Sequence, residues 1–347
     1  MNNGFKVLMI SSRGPEETVF ESQVLDIVRA WQKYGLVSLL YRSKLSKQVQ
    51  LEGVSVIRIV RIVPELSRIL LYGERVLNSN WKWKGGYDLI HCRGAVGAWQ
   101  VLRSMDRKER YTTKILYDCR GIFVEEMEGI WGSSWKKVFL PIKSRELRII
   151  EEYVVNNVDM LTAVSEGLSD YLEHHYGRRA DVIIRPVVNP VKFFFSIKSR
   201  ATIRQELDIN DNERLFIFVG GGNYWQSLDL LRTWWSNLRQ SNSTLLILTH
   251  NSCDYDDWVD RLSNSAGRIV IKSVSHQEVP SYMSAADFGI LFRSPYLVNN
   301  VASPVKLSEY LCTGLMVLTN LTVYQRIQPD DIHVIDPLIR TWRMHSP

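Results

Sequence analysis

Asn299-Asn300-Val301-Ala302-Ser303-Pro304-Val305-Lys306-Leu307-Ser308-Glu309-Tyr310-Leu311-Cys312-Thr313-Gly314 leads almost directly into the apolar run Met316-Val317-Leu318-Thr319. Ser303 is a natural N-cap and Pro304 a natural first helical residue, so a helix is expected from Pro304 to Thr313. Gly314 closes it ahead of a short buried strand. Helix followed by strand is half of a βαβ unit, and the rest of the chain repeats it. Working back from this stretch, strands are expected at Asp287 to Leu291, Arg268 to Ile271, Thr244 to Thr249 and Leu215 to Val219. Helices starting near Gln277, Tyr255 and Trp225 alternate with them.

Upstream of Arg204 the rhythm breaks. Arg185-Pro186-Val187-Val188-Asn189-Pro190 carries two prolines and cannot continue a helix, and a Lys/Arg-rich segment follows it. Before the break the alternation is present again. Strands are expected at Lys6 to Ser11, Leu36 to Tyr41, Ser55 to Val60, Tyr87 to His91, Lys114 to Asp118, Met160 to Ala163 and Val182 to Ile184. Phe20, Val24, Ile27, Val28 and Trp31 recur at helical spacing between Thr18 and Tyr34, with Gly35 as the expected C-cap. Glu146 to Asn156 and Glu166 to Tyr176 are the clearest further helices. The pattern implies parallel sheets covered on both faces, built twice, with a linker near residues 186–200. A chain of 347 residues is also long for one core.

Composition narrows the function classes. With 45% hydrophobic and 23% charged residues the chain is of ordinary globular type. Its net charge of +6 and pI of about 9.0 favour anionic partners. The basic residues are interspersed with acids, so no dedicated nucleic-acid surface is expected. Cys92, Cys119, Cys253 and Cys312 form no CxxC pair and have no His at zinc-finger spacing. They read as free thiols of a reducing, cytoplasmic environment. The N-terminus enters a strand at once without a leader pattern, and no apolar run approaches the ~20 residues of a spanning helix. The chain is expected to be soluble, or at most to rest on a membrane surface. Trp131 to Arg148 mixes Trp131, Trp135, Phe139 and Leu140 with Lys136, Lys137, Lys143 and Arg145, a combination that suits anionic lipid headgroups.

In open α/β sheets ligands bind beyond the carboxyl ends of strands, which selects five loops. Ser11-Ser12-Arg13-Gly14-Pro15-Glu16 follows the first strand, where Gly14 permits close backbone approach or simply serves a tight turn. Asp118-Cys119-Arg120-Gly121, with Glu125 and Glu126 behind, places carboxylates where a substrate hydroxyl could be oriented or deprotonated, or where an Asp–Arg pair is structural. Gly220-Gly221-Gly222-Asn223 forms a backbone nest suited to a diphosphate, although it is neither a GxGxxG fingerprint nor a P-loop. Arg293 ends a strand with a fixed charge for phosphate. The opening stretch is the most informative: the first amides of its helix and Lys306 would meet an anion. Glu309, partway along, can accept two hydrogen bonds from a ribose diol.

Ser303-Pro304-Val305-Lys306-Leu307-Ser308-Glu309-Tyr310-Leu311 resembles the SPxKxxEYL signature of retaining GT-B glycosyltransferases of family 4, a group that includes bacterial capsule, O-antigen and exopolysaccharide enzymes. Tyr87 to Arg93, Asp118 to Gly121 and Ala163 to Leu168 occur in the family's order. The resemblance implies two Rossmann-like βα domains facing a central cleft. Residues 1–195 would bind the acceptor. Residues 196–347, expected to be short at the C-terminus, would bind the donor. It implies transfer with retention from a UDP- or GDP-linked sugar to a glycan or polyprenyl-linked acceptor, without metal or separate cofactor. On the acceptor side Asp118, Arg120 and Glu125, singled out above, are the catalytic candidates. Glu309 would hold the ribose, while Lys306, Ser303, Arg293, Gly221, Gly222 and Gly14 would lie near the nucleotide. The chain departs from the family at three places: Val301 replaces the first Glu of the usual pair, leaving Asn299 or Asn300 for the donor sugar. Gly221 and Gln226 replace a common Arg and Lys, and Leu321 to Pro347 lacks the usual Gly-Asp loop. A UDP-sugar epimerase of the same fold, or a non-catalytic binding protein, are the alternatives.

Overall fold

Leu215 and Ile217 face one apolar cluster with Met283, Leu307 and Tyr310, whereas the intervening Phe216 and Phe218 face another with Trp234 and Trp235. A strand buried on both faces needs helices on both sides, which is the condition for a parallel sheet. The computed structural model describes residues 4–15, 20–43, 49–60, 86–132, 134–186, 188–221, 226–238, 242–249, 267–321 and 332–335. The expected helix from Tyr255, together with Gly222 and Cys253, lies outside these residues. The chain divides into two units: residues 1–185 with 301–303, and the remainder from Pro186.

The first unit holds β1 (Phe5–Ser11), α1 (Asp26–Gln32), β2 (Gly35–Ser43), β3 (Val54–Val60), β4 (Leu89–Arg93), α2 (Ala95–Ser104) and α3 (Arg107–Thr112). It continues with β5 (Lys114–Cys119), α4 (Phe123–Gly132), α5 (Leu140–Asn157), β6 (Met160–Ala163), α6 (Glu166–Tyr176) and β7 (Val182–Ile183). Its seven strands run in the order β3-β2-β1-β4-β5-β6-β7, all pairs parallel.

In the second unit α7 (Ile197–Glu206), β8 (Arg214–Val219), α8 (Leu228–Asn237), β9 (Ser243–Leu248), β10 (Arg268–Lys272) and α9 (Val279–Ala285) come first. They are followed by β11 (Phe288–Leu291), α10 (Leu297–Val301), α11 (Val305–Cys312), β12 (Met316–Thr319) and β13 (Ile332–Val334). Six parallel strands take the order β10-β9-β8-β11-β12-β13. Both sheets are therefore doubly wound, with the chain reversing direction beside the first strand of each: between β1 and β4, and between β8 and β11. Ligands bind at such switch points.

Two local expectations are corrected. Gly35 is not a helix cap: α1 ends at Gln32 with Lys33 as its C-cap, and Gly35 opens β2 opposite Phe5. A Cβ there would run into the Phe5 backbone carbonyl, so the glycine serves strand approach. Nor is Ser303 the cap of the key helix. Pro304 holds that place with φ −71° and ψ 127°, makes no side-chain cap bond, and α11 begins at Val305. The proline ring fixes φ at a helical value, but the extended ψ delays the helix by one residue. The Lys/Arg-rich segment, for its part, forms α7, whose Arg200 and Arg204 reach Asp287 at 2.6 and 3.5 Å. Asp287 in turn accepts the Leu215 amide at 2.8 Å, fixing the start of β8.

Candidate functional site

In the second unit the carboxyl ends of β8, β11 and β12 converge with α11. The Val219 amide donates to the Tyr310 hydroxyl at 3.2 Å, tying the end of β8 to α11. That phenol also feels the charges of both Glu309 and Arg293, which places the acid and the guanidinium around it. Glu309 is buried, and its Oε2 is paired with Lys306 one turn before it. A carboxyl group at this depth requires such a partner, and Lys306 itself stands in the first turn of the helix, where an anion is favoured. Arg293 is buried beyond β11: its amide donates to Asn320 Oδ1 at 2.8 Å, and Asn320 Nδ2 returns a bond to its carbonyl at 2.7 Å. Gly221 is exposed with open space where a side chain would be, as a phosphate-facing loop requires. Of the two asparagines, Asn300 is exposed, whereas Asn299 is buried and donates to the Ser294 carbonyl at 2.8 Å. Ser303 is half-buried.

Sequence reading missed the brace of this site. Ser227, at φ 54° and ψ 53°, is a non-glycine residue in the left-handed region. Its hydroxyl accepts the Ser294 amide at 2.5 Å and donates to Ser294 Oγ at 2.8 Å, so the β8 and β11 loops are sewn together. No local pattern announces a serine in that conformation.

The first unit gathers polar groups at the same end of its sheet. Asp118, at the end of β5, is buried; its Oδ2 accepts Arg120 Nε at 2.8 Å and its Oδ1 accepts Thr162 Oγ1 at 3.2 Å. His91 Nε2 lies 3.4 Å from Asp118 Oδ2. The Trp31 indole donates to His91 Nδ1 at 3.1 Å, and because an indole N–H can only donate, Nδ1 carries no proton and Nε2 does. Burial by itself would raise the Asp118 pKa. The His91 contact and the Arg120 and Arg93 charges outweigh it and hold the carboxyl well below the usual range. Asp118 is therefore ionised throughout the physiological range, and Trp31 and His91 are partners that sequence spacing did not suggest.

Glu125 takes a different place from the one expected. Its Oε1 accepts Arg148 at 2.8 Å and the Tyr171 hydroxyl at 2.6 Å, which fastens α4 to α5 and α6. Glu126, its neighbour, sits over Gly121, where its Oε1 fills the space a side chain at 121 would take. Burial raises its pKa, with the Arg13 charge acting against it and the Glu125 charge with it. Gly14 is buried, in a loop where Ser11 Oγ accepts the Arg13 amide at 3.0 Å. Among the described residues no three of His, Cys, Asp and Glu are placed to hold a metal ion, and no helix is long and apolar enough to cross a membrane.

Comparison with known proteins agrees with this architecture. The model of Glycosyltransferase Family 4 matches residues 3–190. TuaH of Bacillus subtilis strain 168, assigned to teichuronic acid biosynthesis as a glycosyltransferase, is 28% identical over 225 residues, 62% of this chain. The chain spans about half the length of that curated relative, 52%. Sucrose-phosphate synthase from Thermosynechococcus elongatus superposes with a TM-score of 0.69 at 14% identity, covering 97% of this chain and 87% of its own. Anabaena Alr3699/HepE in complex with UDP-glucose gives 0.60 at 14% identity, over 90% and 80%. WaaG, a glycosyltransferase involved in lipopolysaccharide biosynthesis, gives 0.60 at 13% identity, over 95% and 86%. These structures share the fold, two Rossmann-like α/β domains of the GT-B kind. Since the family model covers more than half of the 347 residues, the chain belongs to Glycosyltransferase Family 4.

Proposed function

We propose that the protein transfers a sugar from a UDP- or GDP-linked donor to a glycan or lipid-linked saccharide, with retention and without metal, in surface polysaccharide synthesis. The observation that carries the reading is the pairing of buried Glu309 with half-buried Lys306 on α11, beside Arg293 and Tyr310 at the switch point of the second sheet. In this reading Glu309 accepts the ribose hydroxyls. Lys306, Arg293, the residues after Ser303 and the Gly221–Gly222 amides take the leaving diphosphate, stabilising the charge that develops as the glycosidic bond breaks. Asn300 contacts the donor sugar. On the acceptor side, Arg120, held by the ionised Asp118, presents a fixed charge, and Glu125 supports the helix above it. The UDP-glucose complex of HepE supports a nucleotide-sugar donor, and membership of the family supports transfer over epimerisation or mere binding. The buried Cys92 and Cys119 and exposed Cys312, all free thiols, suit a cytoplasmic site of action.

Calorimetric titration of UDP and GDP tests the donor site. The wild type is expected to bind one of them, and Glu309→Ala to lose about tenfold or more in affinity, as befits a charged hydrogen-bond acceptor. Equal affinity in the variant would refute the assignment.

A membrane-bound acceptor is favoured by the surface of α5 and of the short helical turn Trp135–Phe139 that leads into it. Trp135, Val138, Ile142 and Ile149 are 57%, 71%, 76% and 56% exposed, and Lys137 and Arg145 are exposed among them. Aromatic and aliphatic groups interleaved with cations suit an anionic lipid surface. Sedimentation with phosphatidylglycerol vesicles should carry down the wild type at low salt and much less of Trp135→Ala. Binding indifferent to salt would count against the idea.

A further inference from the structure

β11 and β12 pair in parallel as far as Leu291 and Thr319, where the ladder ends. Beyond it Arg293 and Ser294 are irregular, and a buried irregular backbone must find partners elsewhere. Side chains from three elements supply them. Asn320, just past β12, accepts the Arg293 amide at 2.8 Å and donates to the Arg293 carbonyl at 2.7 Å, so its carboxamide continues the ladder by one peptide. Ser227, just before α8, accepts the Ser294 amide at 2.5 Å, and Asn299 of α10 donates to the Ser294 carbonyl at 2.8 Å. All four main-chain polar groups of the dipeptide are thus held by side chains. Ser227 does so at φ 54°, a conformation that costs an L residue strain and persists only where its surroundings over-determine it. What this arrangement holds in place is the buried Arg293, whose Nη1 donates to the Phe292 carbonyl at 2.9 Å and stays beside the end of β11.

We propose that Asn320 and Ser227 are positioning residues for Arg293: together they fix the Arg293-Ser294 dipeptide so that the guanidinium is already in place for the donor's diphosphate. The assignment rests on the donor reading above and adds to it the groups that set its geometry. A charge fixed in advance costs no reorganisation when the leaving diphosphate develops its own, and a shift of about 1 Å is enough to lose much of that benefit. Neither residue touches the ligand in this scheme. Both act through Arg293, so their loss affects the diphosphate and spares the nucleoside.

The test is a double-mutant cycle on the full chain, read by calorimetry of UDP and saturation-transfer NMR of uridine, with GDP and guanosine as the second pair. Arg293→Ala is expected to lose about tenfold in diphosphate affinity and nothing for the nucleoside. Asn320→Ala should show the same split. The double variant should lose no more than Arg293→Ala alone, because both changes remove one contact. Ser227→Gly takes the left-handed backbone without strain, which offsets part of the lost bonding and keeps the variant folded. Its diphosphate affinity should still fall severalfold, and it carries the cycle where Asn320→Ala does not fold. Unchanged diphosphate affinity in a folded variant of either residue overturns the proposal. So does a double variant that loses about a hundredfold, the product of two independent contacts. Equal loss for nucleoside and diphosphate also overturns it, since that marks a purely structural role. An Arg293→Ala variant with wild-type diphosphate affinity, or a wild type that binds neither UDP nor GDP, overturns the donor reading itself and the proposal with it.

Discussion

Gly289 sits in the middle of β11 with the Tyr310 ring pressed onto it: a Cβ there would lie 2.6 Å from Cδ2 and 2.7 Å from Cγ of that ring. The contact fixes where the Tyr310 hydroxyl meets the Val219 amide, and through it the end of β8. Gly289→Ala must therefore push the ring or bend the strand. We expect a loss of about 2 kcal/mol in stability, read as a shift of the denaturant midpoint at constant slope, together with weaker UDP binding. An alanine variant of wild-type stability would show that the ring has room to move. At this scale the sequence was legible where chemistry and local geometry coincide. Lys306 and Glu309 lie three residues apart on one helix, and that spacing alone predicts their meeting. Tyr310 in the same run looks like a plain apolar anchor, because its function depends on Val219, Gly289 and Arg293, which are distant in the chain. The cap at Ser303 was misjudged by one residue for a similar reason: the proline permits either start, and the backbone ψ that decides it is not a local property.

Elements were the most readable level, since a strand buried on two faces and a helix with a stripe differ in period. β6, β12 and α6 fall where the pattern places them. α5 is longer than expected, starting at Leu140 instead of Glu146, because Pro141 is tolerated in its first turn. What the pattern hides is the polar seam inside α5. Glu151 is buried and accepts the Tyr117 hydroxyl at 2.8 Å and the Tyr176 hydroxyl at 3.0 Å, with Glu125 and Arg148 nearby. Burial pushes its pKa up to about 7, with the two tyrosine hydrogen bonds opposing the rise. In the unfolded chain the same group titrates near about 4.3. Between those values the folded state keeps a proton that the unfolded state has lost. Its stabilising contribution is thus full at acid pH and is lost as pH rises through 7, by roughly 4 kcal/mol from this group. Thermal unfolding of Glu151→Gln against wild type should show the variant gaining relative stability as pH rises, and nothing further once pH is well above 7. A pH-independent difference between the two would mean that Glu151 is ionised in the folded state at all these pH values.

For the molecule as a whole, one topology is used twice, and each half carries its polar groups at the same edge of its sheet. The doubling was visible in the sequence because the proline-rich break after Ile184 interrupts two similar series. The expected division of labour came from the resemblance carried by Ser303 to Leu311, because otherwise either half offers glycine loops and arginines at strand ends. The polar groups of the two units differ in kind. The second unit has a lysine-paired, buried acid on a helix that begins at a strand-end loop, suited to a diphosphate and diol. The first gathers His91, an ionised Asp118 and Arg120 at its strand ends. A nucleoside diphosphate should therefore select one unit. Hydrogen exchange with and without saturating UDP is expected to slow at Gly220 and Gly221, at Arg293 and Ser294, and through the first turn of α11. Exchange in β4, β5 and α4 should be nearly unchanged. At a ligand concentration of about a hundred times Kd the linkage is worth ~2.7 kcal/mol, enough to slow amides that exchange through opening of the site by about a hundredfold. Protection confined to the Arg13, Arg120 and Glu126 loops would reverse the two roles. Such a result would make the first sheet the donor side, since opening free energy rises only where the ligand is bound.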